Sequence, residues 1–195
     1  LLGPGWAWDD INYYFSPERS IFPIFGNLIK IKKTENDKDK LDFVPKYFED
    51  KLLDNQLKFV NDFKFSNNKD SILIPFRTSD SLFVKLLNTE LGEEIGIELN
   101  KSELPKNFKT VYSNDKTLYE LLIQDSDNLV AESIVMMSSG KGSSEFDIEK
   151  QIKTFQNKEF SNWNDKIYWV DGSGMSRYNL LNTEFILSVL NKIHE

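Results

Sequence analysis

The chain has 195 residues, 39% of them hydrophobic, and a formal net charge of −7. This provides enough apolar material for one domain, or for one and a part, while the negative charge without a stripe of Lys and Arg argues against a nucleic-acid partner. The lack of Cys excludes disulfides and thiolate nucleophiles, and the single His, His194, excludes a histidine cluster. We therefore expect neither a histidine general base nor a zinc cluster, and we expect no other metal and no cofactor.

The amino-terminal segment is rich in aromatic residues. Residues 3–10 read Gly-Pro-Gly-Trp-Ala-Trp-Asp-Asp, and Tyr13, Tyr14 and Phe15 follow. Aromatic rings beside carboxylates such as Asp9 can hold an ammonium group by charge and by attraction to the ring face. The alternative is an aromatic cluster that packs on the core. No stretch is apolar for long enough to span a membrane, and we expect the chain to be an internal part of a longer protein because it starts without Met.

Residues 20–105 predict a β-rich region with no chemistry of its own. Ile21–Phe25, Leu28–Ile31 and Ser71–Phe76 are typical of strands, and Lys32–Lys40 is typical of a charged hairpin tip or loop. A helix is predicted from Ser79 to a stop at Gly92. Its apolar face carries Leu82, Phe83, Leu86, Leu87 and Leu91, and further alternating pairs are Leu57 with Phe59, Phe63 with Phe65, and Ile95 with Ile97 and Leu99.

Residues 106–195 predict more helix. Thr117–Ile123 is helical in pattern, runs into the string Ser-Asp-Asn at 126–128, and a second helix follows to Met137. The Gly/Ser-rich residues 138–144 lack the spacing of a phosphate-binding loop and do not follow a strand. Another helix is predicted to start between Ser144 and Asp147, with Phe146, Ile152 and Phe155 facing inward.

The last part of the chain predicts a strand, a tight turn and a helix. Ile167–Val170 suits a buried strand, and the two glycines beside Ser173 permit a positive φ or a close approach to neighbouring backbone. The turn is either a place that presents a working side chain or a plain connection. We expect Asp171 to hold it through backbone N–H groups. Asn182, Thr183 and Glu184 can cap a helix that follows, and this helix carries Phe185, Ile186, Val189, Leu190 and Ile193.

Three blocks then resemble one known family. They are residues 3–10, the string Ser-Asp-Asn at 126–128 followed by Ala131 and Glu132, and Asp-Gly-Ser-Gly-Met-Ser-Arg at 171–177. Ser-Asp-Asn is a signature of penicillin-binding proteins and β-lactamases. In this order the blocks resemble the D-alanyl-D-alanine carboxypeptidase/endopeptidases of the class C low-molecular-mass penicillin-binding proteins.

The resemblance implies an α+β fold. In that fold, residues 1–19 and 106–195 are part of a serine β-lactamase/penicillin-binding-protein-like transpeptidase domain, and residues 20–105 are a β-rich inserted region. A catalytic-domain sheet that lacks strands would expose an edge, which predicts exchange between copies and a homo-oligomer. The resemblance also implies a periplasmic or cell-envelope hydrolase that acts on peptidoglycan stem peptides and, as the intact protein, binds β-lactams.

The chemistry implied is serine acyl transfer. In the family, the nucleophile lies in a Ser-x-x-Lys motif before the first block, and a Lys-Thr-Gly strand follows the last. The three Ser-x-x-Lys strings at 66–69, 113–116 and 138–141 all follow the first block and lack the expected apolar helix. We assign no nucleophile to them and expect the chain alone to be inactive.

The resemblance gives roles to six residues. Ser126 would relay a proton to the leaving amine, and Asn128 would orient the substrate peptide group. Trp6, Asp9 and Tyr14 would line a pocket for the amine end of the stem peptide. Arg177 would pair with a carboxylate at the same place. The alternative is a non-catalytic binding or scaffold module that kept this pocket and lost the chemistry.

Overall fold

The computed structural model describes residues 3–20, 22–53, 60–66, 68–97, 116–138 and 147–194. Within these ranges the fold is α+β, with one three-stranded sheet. No helix in them is long and apolar enough to cross a membrane. The strands are Leu28–Lys33 (β1), Leu41–Val44 (β2) and Ser71–Pro75 (β3), and the α-helices are Asp80–Leu91 (α1), Thr117–Ile123 (α2), Asn128–Met137 (α3), Ile148–Glu159 (α4) and Thr183–His194 (α5). Short 3₁₀ helices occupy Trp8–Asn12, Lys46–Lys51 and Ser161–Trp163.

The sheet is antiparallel and has the strand order β2-β1-β3. Ile29 and Ile31 of the central strand are fully buried, and Ile29 lies opposite Ile74 while Ile31 lies opposite Phe43. Lys30, between them, is exposed on the other face. This is the two-residue alternation that the sequence predicts for a strand with one buried face. The hairpin tip predicted within Lys32–Lys40 is confirmed between β1 and β2.

The larger hydrophobic cluster lies between the sheet and α1. Leu82 and Leu86 of α1 are buried in it. The ring of Phe48 lies 5.4 Å from that of Phe63 and 5.1 Å from that of Phe76, measured between centroids. All members of the cluster, including the partly buried ones, lie between residues 24 and 86. Residues of the predicted β-rich region therefore supply this core. Burial of each large apolar side chain there stabilises the folded state by about 1.5–3 kcal/mol.

A smaller cluster joins α3 to α4. Met136 of α3 packs with Ile148 and Ile152 of α4. Ile152 faces inward as predicted, whereas Phe155 is 37% exposed, so its predicted inward position is only partly correct. On α5 only Phe185 is buried, and its ring packs on Phe160 and Trp163.

Residues 3–20 are bonded both to the region that contains the sheet and to α3. Glu18 accepts hydrogen bonds at Oε2 from the backbone N–H of Thr78 (2.7 Å) and from its hydroxyl (2.9 Å). Arg77 pairs with the same carboxylate and donates to the carbonyl oxygen of Ile11 (2.7 Å). Burial lowers the pKa of Arg77 from its ordinary value, and the Glu18 carboxylate opposes that shift. Arg19, which follows Glu18 in the sequence, pairs with Glu132 of α3 (3.2 Å).

The helix boundaries predicted at Ser79, Gly92 and Asn182 are confirmed. The Ser79 hydroxyl accepts from the backbone N–H of Leu82 at the start of α1, and Gly92 ends that helix with φ of 67°. Asn182 accepts from the backbone N–H of Phe185 (2.8 Å) at the start of α5. These signals act within a few residues, so the local sequence is enough to reveal them.

The strand predicted at Ile21–Phe25 is wrong, since none of its described residues, 22–25, lies in a strand. Ile24 and Phe25 begin a turn, Ile24–Asn27, in which Phe25, Gly26 and Asn27 have φ of 54°, 62° and 55°. Pro23 cannot donate a ladder hydrogen bond, and Gly26 accepts a positive φ at low cost. The chain therefore turns before β1 begins.

Two further predicted strands are also wrong. Ile95 bonds through its N–H and carbonyl to the side chain of Asn88, and neither Ile95 nor Ile97 belongs to a strand. Ile167–Val170 is buried at both ends but forms only one bridge, from Tyr168 to Leu180. In both segments a nearby polar side chain accepts a hydrogen bond from a backbone N–H group that a strand would use for pairing.

Some predictions lie outside the described residues. These are Ile21, Leu57, Phe59, Leu99, Ser113, Lys141, the Gly/Ser-rich residues 139–144, and Phe146.

Candidate functional site

The turn after Val170 is built around the carboxylate of Asp171. This side chain is 1% exposed. Its Oδ1 accepts hydrogen bonds from the Gly174 N–H (2.9 Å) and the Asn179 amide (2.7 Å), and its Oδ2 accepts from the Ser176 N–H (2.6 Å). The predicted role of Asp171, which is to hold the turn through backbone N–H groups, is confirmed.

The amino-terminal block docks on this turn. The indole Nε1 of Trp6 donates to Asp171 Oδ2 (2.9 Å), across 165 residues of sequence. The backbone N–H of Arg177 donates to the carbonyl oxygen of Gly5 (3.1 Å). The first and third sequence blocks thus form one hydrogen-bonded unit.

Gly5 is required by this docking. It has φ of 77°, and an added Cβ would lie 2.5 Å from Ser176 Oγ and 3.0 Å from the ring of Tyr178. The same Ser176 hydroxyl donates to the carbonyl oxygen of Pro4 (2.7 Å). A side chain at position 5 would therefore separate the two segments.

Gly172 permits an equally close contact with α3. A Cβ there would lie 2.6 Å from the carbonyl oxygen of Ala131 and 2.7 Å from Val135 Cγ2. Of the two reasons predicted for these glycines, close approach applies at Gly172. Positive φ applies at Gly174, where φ is 79°.

Glu132 completes the contact between α3 and the turn. It is 1% exposed, and its Oε1 accepts from the backbone N–H (3.1 Å) and hydroxyl (2.7 Å) of Ser173. Its Oε2 pairs with Arg19 (3.2 Å). A buried carboxylate is tolerated only when paired in this way.

Sequence reasoning noted Glu132 in the second block but gave it no role. The available signal was its position. Glu132 lies three residues after Leu129 and four before Met136, both buried residues of α3. A carboxylate on the apolar face of a helix must have a buried partner.

The Ser-Asp-Asn string forms the turn between α2 and α3. Ser126 is exposed and has φ of 54°. Asp127 caps α3 by accepting from the Val130 N–H (2.9 Å). Asn128 begins α3, and its Nδ2 donates to the carbonyl oxygen of Phe15 (2.8 Å). The second block therefore contacts the amino-terminal segment directly.

The six predicted site residues do not all line one cleft. Trp6 and Asn128 line the same small cleft, together with Arg19 and Glu132. Tyr14 lines a separate groove on the outer side of the sheet. The remaining three, Ser126, Asp9 and Arg177, are exposed.

The described serines of the Ser-x-x-Lys strings do not begin helices. Ser66 and Lys69 lie in an exposed turn closed by a hydrogen bond from the Lys69 N–H to the Ser66 carbonyl (3.0 Å). Ser138 follows the end of α3, where its hydroxyl donates to the Val135 carbonyl (2.7 Å). Neither position resembles a nucleophile at the start of an apolar helix.

Comparison of the chain with protein-family models found no match, and comparison with curated proteins found none either.

Proposed function

We propose that the chain is part of a serine-type D-Ala-D-Ala carboxypeptidase/endopeptidase that acts on peptidoglycan stem peptides in the periplasm or cell envelope. One observation carries this proposal: the three sequence blocks meet around two buried carboxylates, Asp171 and Glu132. Short strings that match a family by chance are not expected to lie together in the structure. Blocks that contribute to one active site are expected to lie together.

Structural needs account for part of the Ser-Asp-Asn string. Asp127 caps α3, and Asn128 fixes the carbonyl of Phe15. Ser126 caps neither α2 nor α3, yet it holds a backbone conformation that L-residues rarely adopt. Unfavourable φ values persist where the surrounding structure enforces them, and they cluster at active sites. This supports a chemical role for the Ser126 hydroxyl.

In the proposed mechanism, Ser126 passes a proton between the Lys of a Ser-x-x-Lys motif and the amine that leaves the scissile D-Ala-D-Ala bond. The nucleophilic Ser and this Lys come from outside the 195 residues. The Asn128 amide, positioned at the first residue of α3, orients the substrate peptide group. Such positioned proton transfer contributes about 10²- to 10⁴-fold to rate.

The exposed charges of the site support binding of a zwitterionic side chain. Asp9 would hold the ammonium group of the stem-peptide diamino acid, and the Arg177 guanidinium would pair with its carboxylate. Trp6 fixes the segment that carries Asp9, since its indole is bonded to Asp171. Arg177 is fixed to the same segment through its backbone bond to Gly5.

Release of D-alanine from a peptidoglycan pentapeptide tests this function. The assay uses the chain extended at both ends as in its parent protein, beside its Ser126→Ala variant. We expect D-alanine release by the extended protein and a loss of about 10²- to 10⁴-fold in the variant. Absence of release, with pentapeptide binding retained, would instead identify a non-catalytic binding module.

A further inference from the structure

A groove of about 640 Å³ follows one edge of the sheet. Four consecutive residues of β3, 71–74, line it. Because successive side chains of a strand point to opposite faces, a groove lined by four in a row follows the edge of the strand as well as one face. We call it the edge groove. The other residues that matter in its wall are Tyr13, Tyr14, Lys30, Lys64 and Lys69.

Part of the main chain of β3 is unpaired along this groove. In the strand order β2-β1-β3, β3 is an edge strand. The Phe76 N–H donates to the Asn27 carbonyl oxygen (3.0 Å), and the bonds of an antiparallel ladder recur at every second residue. The N–H and C=O groups of Ser71 and Leu73 therefore point away from β1. No described residue makes a backbone hydrogen bond to them from the other side.

The charged side chains that line the edge groove are lysines. Lys30, Lys64 and Lys69 are exposed, and none of them is paired with a carboxylate within the described ranges. Among the described residues, no Asp or Glu lines the groove. The chain as a whole has a net charge of −7. The groove is therefore a local positive region on an acidic protein, and such a region attracts acidic groups.

Two exposed tyrosine rings belong to the same groove. Tyr13 is 56% exposed and Tyr14 is 59% exposed. Both rings pack on Phe15, with centroid distances of 5.4 Å for Tyr13 and 5.6 Å for Tyr14. Tyrosine rings supply a large contact area and lose little conformational entropy when they bind a partner. They add apolar contact to a groove that is otherwise defined by main-chain groups and positive charge.

The unpaired groups decide between kinds of occupant. An extended peptide both donates and accepts main-chain hydrogen bonds, as Ser71 and Leu73 require, whereas a polymeric phosphate or carboxylate can only accept. A second copy of β3 would bring the same lysines together, and lysines near an edge disfavour such pairing. An acidic strand removes this repulsion and replaces it with attraction.

We propose that the β3 edge binds an acidic peptide segment of a partner protein as an added antiparallel strand. The peptide residue opposite Leu73 exchanges two main-chain hydrogen bonds with it. Its side chain lies on the face that carries Lys30, because Lys30 is the residue opposite Leu73 on β1. Acidic residues at every second position therefore meet the lysines. Pro75 has no N–H, which limits the added strand to a short segment.

The proposal does not depend on the peptidase function, and N-methylated peptides test it. The probe is an acetylated and amidated octapeptide of alternating glutamate and threonine. It is titrated into the ¹⁵N-labelled chain while the amide signals of Ser71 and Leu73 are followed. Two further peptides of the same charge carry N-methyl groups on all glutamate amides or on all threonine amides.

Antiparallel addition points the glutamate N–H groups at β3. The unmodified peptide should shift the signals of Ser71 and Leu73. Methylation of the glutamates should weaken binding by about 3- to 10-fold for each hydrogen bond lost, and methylation of the threonines should leave it unchanged. Equal binding of all three peptides, weakening by the threonine methyl groups instead, or no shift at all would overturn the proposal.

A non-peptide anion separates strand addition from charge attraction alone. Tripolyphosphate has a comparable negative charge and no main chain, so it should bind more weakly than the octapeptide. Binding as tight as that of the peptide, with the same shift at Leu73, would show an anion site only. A shift at Leu73 that follows the concentration of the chain without peptide would show a second copy on the edge. Either result would overturn the proposal.

A matched pair of double variants tests the lysines. Lys64→Gln with Lys69→Gln should weaken binding of the octapeptide by about 2- to 25-fold, the value of two exposed ion pairs. Lys46→Gln with Lys85→Gln changes the net charge equally at exposed positions outside the groove and should leave binding unchanged. Unchanged binding in the first variant, or equal weakening in both, would contradict the site.

Discussion

Ser126 has a backbone conformation that is unfavourable for serine. Its φ of 54° lies in the left-handed region, where an L-residue is disfavoured by about 1–2 kcal/mol. Glycine avoids that cost but loses about 0.5–1 kcal/mol through its greater freedom in the unfolded chain. Glycine would therefore be the more stable choice for structure alone.

We expect Ser126→Gly to raise the free energy of unfolding by about 0–1.5 kcal/mol, from the difference between those two effects. Ser126→Ala, which keeps the Cβ, should not be stabilised. Urea unfolding followed by circular dichroism measures both variants. A loss of more than about 1 kcal/mol in Ser126→Gly would show that the side chain serves folding and would remove the argument for a catalytic role.

Asp9 provides a second prediction at the residue scale. An exposed ion pair contributes only about 0.2–1 kcal/mol, so Asp9→Asn should weaken binding of a stem peptide with a zwitterionic diamino acid by about 1.4- to 5-fold. Isothermal titration calorimetry measures this, and the difference should shrink as salt is added. Asp165→Asn, another exposed aspartate, is the matched control and should bind normally. Equal weakening by both variants would indicate a general charge effect.

At the scale of elements, the turn and α3 depend on the close approach at Gly172. In Gly172→Ala the new Cβ would meet backbone at 2.6 Å, and backbone cannot move aside as a flexible side chain can. We expect a loss of about 1–3 kcal/mol in the free energy of unfolding, measured by urea unfolding.

The control for this prediction is Gly96→Ala. Nothing lies within 4 Å of a Cβ at that position, and no positive φ is required there. This variant should be neutral or slightly stabilised, by up to about 1 kcal/mol. A Gly172→Ala protein as stable as Gly96→Ala would mean that the turn does not pack on α3 as described.

The sequence predicts these elements well where the cause is local. Ser79, Gly92 and Asn182 act on backbone groups within a few residues, so the ends of α1 and α5 follow from their neighbours. The turn at Asp171 is predictable for the same reason. A strand depends on a partner elsewhere in the chain, so the apolar runs at Ile95 and Ile167 were misleading.

At the scale of the whole molecule, Glu18 and Arg19 of the amino-terminal segment connect the region that contains the sheet to α3. Glu18 is bonded to Arg77 and Thr78 beside the larger cluster, and Arg19 is paired with Glu132 of α3. These partners are 59 to 113 residues away in sequence. The position of Glu132 on the apolar face of α3 indicates that it has a buried partner, but the sequence pattern does not identify a partner as distant as Arg19.

In the candidate site, too, the sequence predicts some features and misses others. Resemblance selected blocks that lie together, because Trp6, Asp171 and Arg177 belong to one hydrogen-bonded unit. It did not foresee that Tyr14 lines a separate groove. The direction of a side chain depends on packing that the block pattern does not contain.

Covalent labelling by a fluorescent penicillin tests the central claim most directly. The 195-residue chain and the longer peptidase of which we propose it is a part are incubated side by side, and the labelled residue is identified by mass spectrometry. The account predicts a label on the parent protein at a serine outside these 195 residues, and no label on the isolated chain. An unlabelled parent protein, or a label at Ser66, Ser113 or Ser138 of the chain, would contradict it.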